Sequence, residues 1–211
     1  VARPAPGMSA EQAAVARLEQ GRPLPGLTFR IRGEDGHPQP HDGQAMGELE
    51  VSGPWVVSGY HRAATAHEET VPDDRFVEDV QGSWLRTGDI AVIDAWGSVR
   101  LVDRSKDLVK SGGEWISTVD LENAIASQPG VVEAAVVAVP DERWGERPHA
   151  VVVRSDGALT AEDVRSALVE KVARWQVPDV VSFVDDLPRT SVGKIDKVRI
   201  RARLAARAPD V

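Results

Sequence analysis

The sequence predicts an α+β chain, with a β-rich, barrel-like subdomain followed by a small mixed α+β C-terminal domain. Three observations predict it. Over the first hundred residues, short stretches of alternating apolar residues are separated by Gly-, Pro- and Asp-rich loops, with little helical periodicity. Near Asp103–Asp107 this changes, and helix caps begin to alternate with apolar runs. Val131 to Val139 is nearly all apolar, as suits a strand buried on both faces. At 211 residues the chain has room for one large or two small domains.

Ser9-Ala10-Glu11-Gln12 has the form of a capping box, so a short helix is expected from Ser9 to about Glu19, stopped by Gly21 and Pro23. Leu27, Phe29 and Ile31 alternate with Thr28 and Arg30 as in a strand. A loop from Gly33 to Gly47 leads into a second alternating strand, Glu48 to Ser52. Residues 61–82 are charged and poorly periodic, and are expected to form a surface excursion with at most one helical turn. Trp84 to Val102 is the clearest β region, a strand, a tight turn at Asp94-Ala95-Trp96-Gly97, and a second strand.

Beyond Asp107, Ser117 or Thr118 can cap a helix carrying Val119, Leu121, Glu122 and Ile125, ended by Pro129-Gly130. Val131 to Val139 and Ala150 to Val153 are expected to be partner strands. Thr160 caps a further helix with Asp163 at its third position, and Leu159 and Val164 suit a hydrophobic staple. Val180 to Val184 is another strand, and Asp196 to Ala206 a closing helix.

Composition excludes several functions. Cysteine is absent, so disulfides and thiolate metal sites cannot form, which fits a reducing cytoplasm. The five His residues form no ligand cluster, and no metal site is expected. No apolar run approaches the roughly 20 residues of a membrane span. A net charge of −8 argues against nucleic acid as a partner. That charge is unevenly spread. Arg189, Lys194, Lys197, Arg199, Arg201, Arg203 and Arg207 stand against the single acid Asp196. The run is open to two readings, a solvated helix face with cations near the helix C-terminus or a positive field for a phosphorylated ligand.

Three phrases carry chemistry. In Leu187-Pro188-Arg189-Thr190-Ser191-Val192-Gly193-Lys194, Gly193 permits a tight turn and Lys194 puts a mobile point charge beside it. In Thr87-Gly88-Asp89, a carboxylate behind a Gly can accept both hydroxyls of a ribose. Arg104 lies fifteen residues on, across the predicted hairpin, in the third phrase, Asp103 to Ser117. The pair Gly112-Gly113 in that phrase is no Walker loop, because Gly-x-x-x-x-Gly-Lys-Ser/Thr is absent.

Taken together, and from about residue 20 onward, these phrases resemble the C-terminal third of the AMP-forming acyl-CoA synthetases, a family of adenylate-forming ligases. The Lys110-Ser-Gly-Gly-Glu-Trp-Ile-Ser117 wording is most like the medium- and long-chain fatty-acid–CoA ligases. The resemblance implies that residues 1–103 are the last β-rich subdomain of a larger N-terminal domain, 104–106 a hinge and 107–211 a mobile C-terminal domain. It implies ATP or AMP and coenzyme A as substrates. Asp89 would hold the AMP ribose, and Arg104 would add a cationic contact to ribose or phosphate. Lys194 would neutralise charge as the acyl-adenylate forms. Lys106 would be the pivot between two half-reactions. Lys110, Gly112, Gly113 and Trp115 would lie on the loop brought up for thioester formation, Trp115 being either a flat wall of the thiol channel or a core residue. Glu122 and Glu146 would have structural roles.

The family's phosphate-binding loop ending in Pro-Lys and its aromatic-Gly-x-Thr-Glu segment for adenine and Mg2+ do not occur in these 211 residues. The chain is therefore expected to be the C-terminal portion of a ligase and inactive alone. Its partners would be the missing N-terminal subdomains or a self-associating interface, through an exposed apolar patch. The alternative is a non-catalytic partner-binding or regulatory module derived from such a ligase.

Overall fold

The computed structural model describes residues 4, 6–17, 19–59, 74–155 and 157–206. The chain divides into two compact units, Val1–Ser105 and Lys106–Val211. The α+β class is borne out, with a sheet in each unit.

The first unit opens with α1 (Ala10–Ala16). Its capping box is formed, since Gln12 N donates to Ser9 Oγ (3.2 Å) and Ser9 N to Gln12 Oε1 (2.9 Å). The helix stops short of Glu19, because Gln20 N instead donates to Val99 O (3.1 Å) and Gly21 bridges Val99. Five strands follow: β1 (Thr28–Arg32), β2 (Gly47–Ser52), β3 (Phe76–Asp79), β4 (Gly82–Ile93) and β5 (Val99–Arg104). All pair antiparallel. β1 lies on β2 and β2 on one edge of β4, while β3 and β5 share the other edge of β4 in succession. Asp94 makes the expected turn, its carboxylate accepting from Trp96 N and Ser98 N, with Gly97 at φ 77°. Ile31, Leu49, Ala91, Ile93 and Val99 form the core.

The stretch expected as an irregular excursion contains β3. Residues 60–73 lie outside the described residues, but Phe76–Asp79 is a strand, and its four residues are too short for a period to stand out among charges. What holds it is tertiary. Asp79 Oδ2 accepts from Arg30 (2.5 Å) and Arg32 (2.9 Å), and both arginines also reach Glu50 Oε2 (2.6 and 2.9 Å). The Arg30 guanidinium lies 3.8 Å from the Trp84 ring centroid. Two cations and two carboxylates thus balance on this face, which a buried Glu50 requires. The Arg30 contact, chiefly, holds Asp79 below the ordinary carboxylate range.

In the second unit β6 (Val109–Ser111) and β7 (Glu114–Ile116) form a hairpin, followed by α2 (Thr118–Ala126), β8 (Val131–Asp141), β9 (Gly145–Arg154), α3 (Ala161–Val169), β10 (Val180–Phe183) and α4 (Lys197–Ala205). Ser117 caps α2, Thr160 caps α3 with the full reciprocal box, and Asp196 caps α4. β8 and β9 pair antiparallel along their whole length, and β10 adds parallel to β9. Alternate residues of this ladder serve two cores. Ala134, Val136, Ala150 and Val152 meet Leu121 and Ile125 of α2 and Val164 and Leu168 of α3. Ala135, Val137 and Val151 meet Leu187 and Ile200.

Lys197 ties α4 to this body. Its ammonium donates to Thr118 Oγ1 (2.7 Å) and sits 2.8 Å from Glu122 Oε1, an atom that also accepts from Val136 N (2.8 Å). Both charged side chains are largely buried, 14% and 18% exposed. Lys197→Met leaves Glu122 charged in that setting and is expected to cost about 2 kcal/mol in urea unfolding. Arg203→Met, on the exposed side of α4, is expected to stay within about 0.5 kcal/mol.

His149 adds a pH dependence. Its ring shares a 2.8 Å hydrogen bond with Ser182 Oγ, and burial depresses its pKa below 6.5. The neutral ring is favoured in the fold, so the unfolded chain binds the proton first. This contribution is intact above pH 6.5 and lost as pH falls from there through the lower folded value. In thermal melts from pH 8 to 5, His149→Gln is expected to shrink the loss of stability below pH 6.5 relative to the parent chain; an unchanged profile counts against the assignment.

Candidate functional site

Thr87-Gly88-Asp89 is a bulge in the middle of β4. Glu48 faces Ile90 and Glu50 faces Arg86, so these three residues stand opposite Leu49 alone. Thr87 Oγ1 fixes the bulge, donating to Leu49 O (2.9 Å) and accepting from Asp89 N (3.1 Å). Gly88 takes φ 72° at its apex, a conformation that Gly adopts without Cβ strain. On the other edge Asp89 is the direct partner of Arg104. Arg104 Nε lies 2.9 Å from Asp89 Oδ1, with side chains 59% and 22% exposed. An exposed pair of this kind is worth at most about 1 kcal/mol, so both groups can turn to a ligand at small cost.

In the second unit, Gly112 and Gly113 are the two central residues of the β6–β7 turn, between the paired Ser111 and Glu114. Their φ values of 61° and 86° are those of a turn that needs left-handed backbone at both positions. The sequence reading took this stretch as a loop and missed the hairpin, since three-residue strands leave no periodic signal. Lys110 is exposed and its N–H donates to Glu146 Oε2 (2.9 Å). Trp115 is half-buried and outside the apolar core cluster of this unit. A cavity of about 280 Å3 opens beside the turn, lined by Ser111, Gly112, Glu114, Trp144, Arg147 and Trp175. Trp144 covers Gly112 so closely that a Cβ there would stand 2.9 Å from its ring.

Sequence reasoning named neither Arg147 nor the two tryptophans as part of a site. The available signal was the phrase Trp144-Gly145-Glu146-Arg147, read for its Glu alone. Glu146 and Glu122 do have structural partners, the Lys110 N–H and Lys197.

Lys194 closes a second tight turn. Thr190 N donates to Lys194 O (2.8 Å), Gly193 N to Thr190 O (2.9 Å), and Arg189 bridges Ile195. Gly193 is at φ 84°. The flanks are anchored by Leu187, fully buried, and Ile195, packed on the same cluster. The Lys194 side chain is exposed, and its ammonium makes no hydrogen bond or ion pair with another described residue. Its basic neighbours are matched by acids. Arg189 holds both oxygens of Glu133 (2.7 and 2.8 Å), Lys197 holds Glu122, Arg201 holds Asp107 (3.1 Å), and Arg199 lies 3.9 Å from Asp196. The cationic run is therefore largely a set of ion pairs, and among the described residues it leaves Lys194 and Arg203 without an acidic partner.

The two turns of this unit are far apart. The Lys194 turn is tied through Arg189 to Glu133 near the start of β8, and the Gly112 turn through Trp144 to the β8–β9 connection. Glu133 to Asp141 is eight residue steps, about 26 Å at a strand's rise. Lys106 is exposed at the boundary of the units. Among the described residues no group of three or more His, Asp or Glu converges on one point. Among the same residues no helix is long and apolar enough to cross a membrane.

Residues 120–194 match the model of the AMP-binding enzyme C-terminal domain. The chain is 44% identical over 195 residues to a long-chain-fatty-acid–CoA ligase of Thermus thermophilus, covering 92% of this chain and 35% of the relative. It is 40% identical over 197 residues to a medium-chain-fatty-acid–CoA ligase of Ectopseudomonas oleovorans, covering 93% and 34%. Among solved structures, ATP-bound MatB from Rhodopseudomonas palustris superposes with a TM-score of 0.71 at 35% identity, over 88% of this chain and 35% of that one. The chain thus spans about a third of the length of the curated relatives it matches. With the bulge, the two glycine turns and these similarities in hand, the chain carries an AMP-binding enzyme C-terminal domain and is homologous to the C-terminal portion of fatty-acid–CoA ligases.

Proposed function

We propose that the chain supplies the moving parts of a ligase that activates a carboxylic acid, a fatty acid by its relatives, with ATP to acyl-AMP and pyrophosphate, and then transfers the acyl group to coenzyme A with release of AMP. The observation that carries the reading is the placement of the Lys194 and Gly112-Gly113 turns at opposite ends of one rigid hairpin. A single reaction centre cannot meet both ends at once. Two successive steps can, if the unit turns between them.

In the first step the Lys194 ammonium meets the charge that develops at the α-phosphate and carboxylate, as electrostatic stabilisation. Asp89 accepts the ribose hydroxyls and Arg104 turns to the ribose or phosphate. In the second step the Gly112-Gly113 turn, with Lys110 and Trp115, lines the approach of the thiol. Lys106, at the boundary of the units, is the pivot. The ATP-phosphate loop, the Mg2+ ligands and the acyl pocket belong to the remaining two thirds of such a ligase, placed with it in the cytoplasm. The chain alone is inactive.

A second reading, a non-catalytic module that docks on a partner, is favoured by Leu24, Trp55 and Val57, which are 69%, 76% and 54% exposed on the first unit. The same residues suit a face covered by the rest of the ligase.

Calorimetric titration of the chain with a non-hydrolysable acyl-AMP analogue tests the main reading. Weak binding is expected, reduced roughly tenfold or more by Asp89→Ala, the scale of a lost charge-assisted hydrogen bond. Lys194→Ala is expected to weaken it less and to leave the melting temperature unchanged. Equal affinity in Asp89→Ala overturns the ribose assignment. Turnover of ATP with a fatty acid by the purified chain overturns its inactivity.

A further inference from the structure

We infer that Arg147 is the positioning residue for the coenzyme A step, holding the Gly112-Gly113 turn and the Trp175 wall in one fixed arrangement. This rests on the proposed two-step function. Arg147 is 8% exposed, and each donor of a buried arginine that goes unmet costs stability. All five are met. Nε donates to Asp179 Oδ2 (2.6 Å), Nη1 to Ser111 Oγ (3.0 Å) and Trp175 O (2.6 Å), and Nη2 to Val177 O (3.0 Å) and Asp179 Oδ1 (3.3 Å).

The partners are informative. Ser111 immediately precedes the glycine turn. Trp175 and Val177 belong to the short 3-10 turn Arg174–Gln176 and the residue after it, and Asp179 leads into β10. One planar fork therefore joins a turn and a loop that are sixty residues apart in the chain, and both line the 280 Å3 cavity, with Arg147 between them. Trp144 presses on Gly112 from another side, and its carbonyl accepts the Gly112 N–H (2.8 Å). The turn is thus held through its backbone and through Ser111. Lysine cannot replace this arrangement, since it carries three donors on one atom in place of five in a plane. The Lys194 turn contacts none of these groups and lies at the far end of β8. Loss of the fork should accordingly disturb the thiol step and spare adenylation.

Two experiments test this. The first uses the 211-residue chain and needs no activity. In amide hydrogen exchange, Arg147→Lys is expected to raise the rates of segments 111–114 and 174–179 roughly tenfold, the scale of one or two charge-assisted hydrogen bonds lost, with segment 189–195 unchanged. Unchanged rates, or one uniform rise across the unit, overturn the positioning role.

The second uses a chimera in which the chain replaces the matching third of the Thermus thermophilus ligase. The parent chimera must catalyse both ATP–pyrophosphate exchange and thioester formation; if it does neither, the proposed function fails, while hydrogen exchange still decides the role of Arg147. In an active chimera, Arg147→Lys and the milder Ser111→Ala are expected to slow thioester formation or raise the KM for coenzyme A by about tenfold to a hundredfold, the scale of a misplacement near 1 Å. Pyrophosphate exchange should stay within about twofold, since an interaction used in one step leaves the other untouched. Equal effects on both half-reactions, or none on either, overturn the inference.

Discussion

The second unit depends on one ladder, the antiparallel pairing of β8 with β9 from Val131–Arg154 to Asp141–Gly145. Because side chains alternate across a strand, this ladder presents one apolar face to α2 and α3 and another to α4. A one-residue slip of β8 along β9 would exchange the faces of β8, sending Val136 to the α4 side and Val137 to the other. Register is thus enforced twice. It is this stiffness that makes the ends of the hairpin useful. A turn tied to Glu133 and a turn tied to Trp144 cannot drift toward each other, whatever the rest of the molecule does.

Much of this was legible in the sequence because it rests on local chemistry. Ser9, Ser117, Thr160 and Asp196 cap helices where their side chains say they should. Val131 to Val139 reads as a doubly buried strand, and from Ala134 to Val137 it is one, while Val132 stands exposed. The parts that escaped are held by distant partners. β3 has no period of its own and exists through Arg30, Arg32 and the edge of β4. The parallel pairing of β10 with β9 carries no local signal either. Asp89 and Arg104 were readable as a cross-hairpin pair, but the three-residue bulge that releases Asp89 from β2 appears only in the register of both edges of β4. Arg147 escaped for a similar reason. Its partners lie on two segments, at Ser111 and at Trp175 to Asp179, that only the fold brings together.

Charge is handled by the same logic in both units. Glu50 is buried and two arginines share it. Glu122 is mostly buried and Lys197 answers it. The cationic run near the C-terminus, which suggested a broad positive field, is drawn largely into pairs with acids elsewhere in the chain. A field spread over seven cations would attract any anion. An exposed ammonium at the tip of an anchored turn, with no acid paired to it among the described residues, acts at one point instead.

Asp89, Lys194 and the Gly112-Gly113 turn share a further property, in that each sits where a regular ladder is interrupted. Asp89 follows the positive-φ Gly88 in a bulge, Lys194 follows the positive-φ Gly193, and the β6–β7 turn is built on Gly112 and Gly113. A side chain inside a ladder has its direction set by the pleat and its backbone polar groups already engaged. An interruption frees both, and glycine permits it without strain. The cost is local looseness, and each site meets it with a different brace. Thr87 fastens the bulge to Leu49. Leu187 and Ile195 sink the ends of the Lys194 turn into the core. At Gly112, where Trp144 lies over the turn and Ser111 reaches back, the brace is the buried fork of Arg147. Precision at these positions therefore comes from residues beside the turn and not from the turn itself, which is why the motifs alone could name the glycines and lysines but not what holds them.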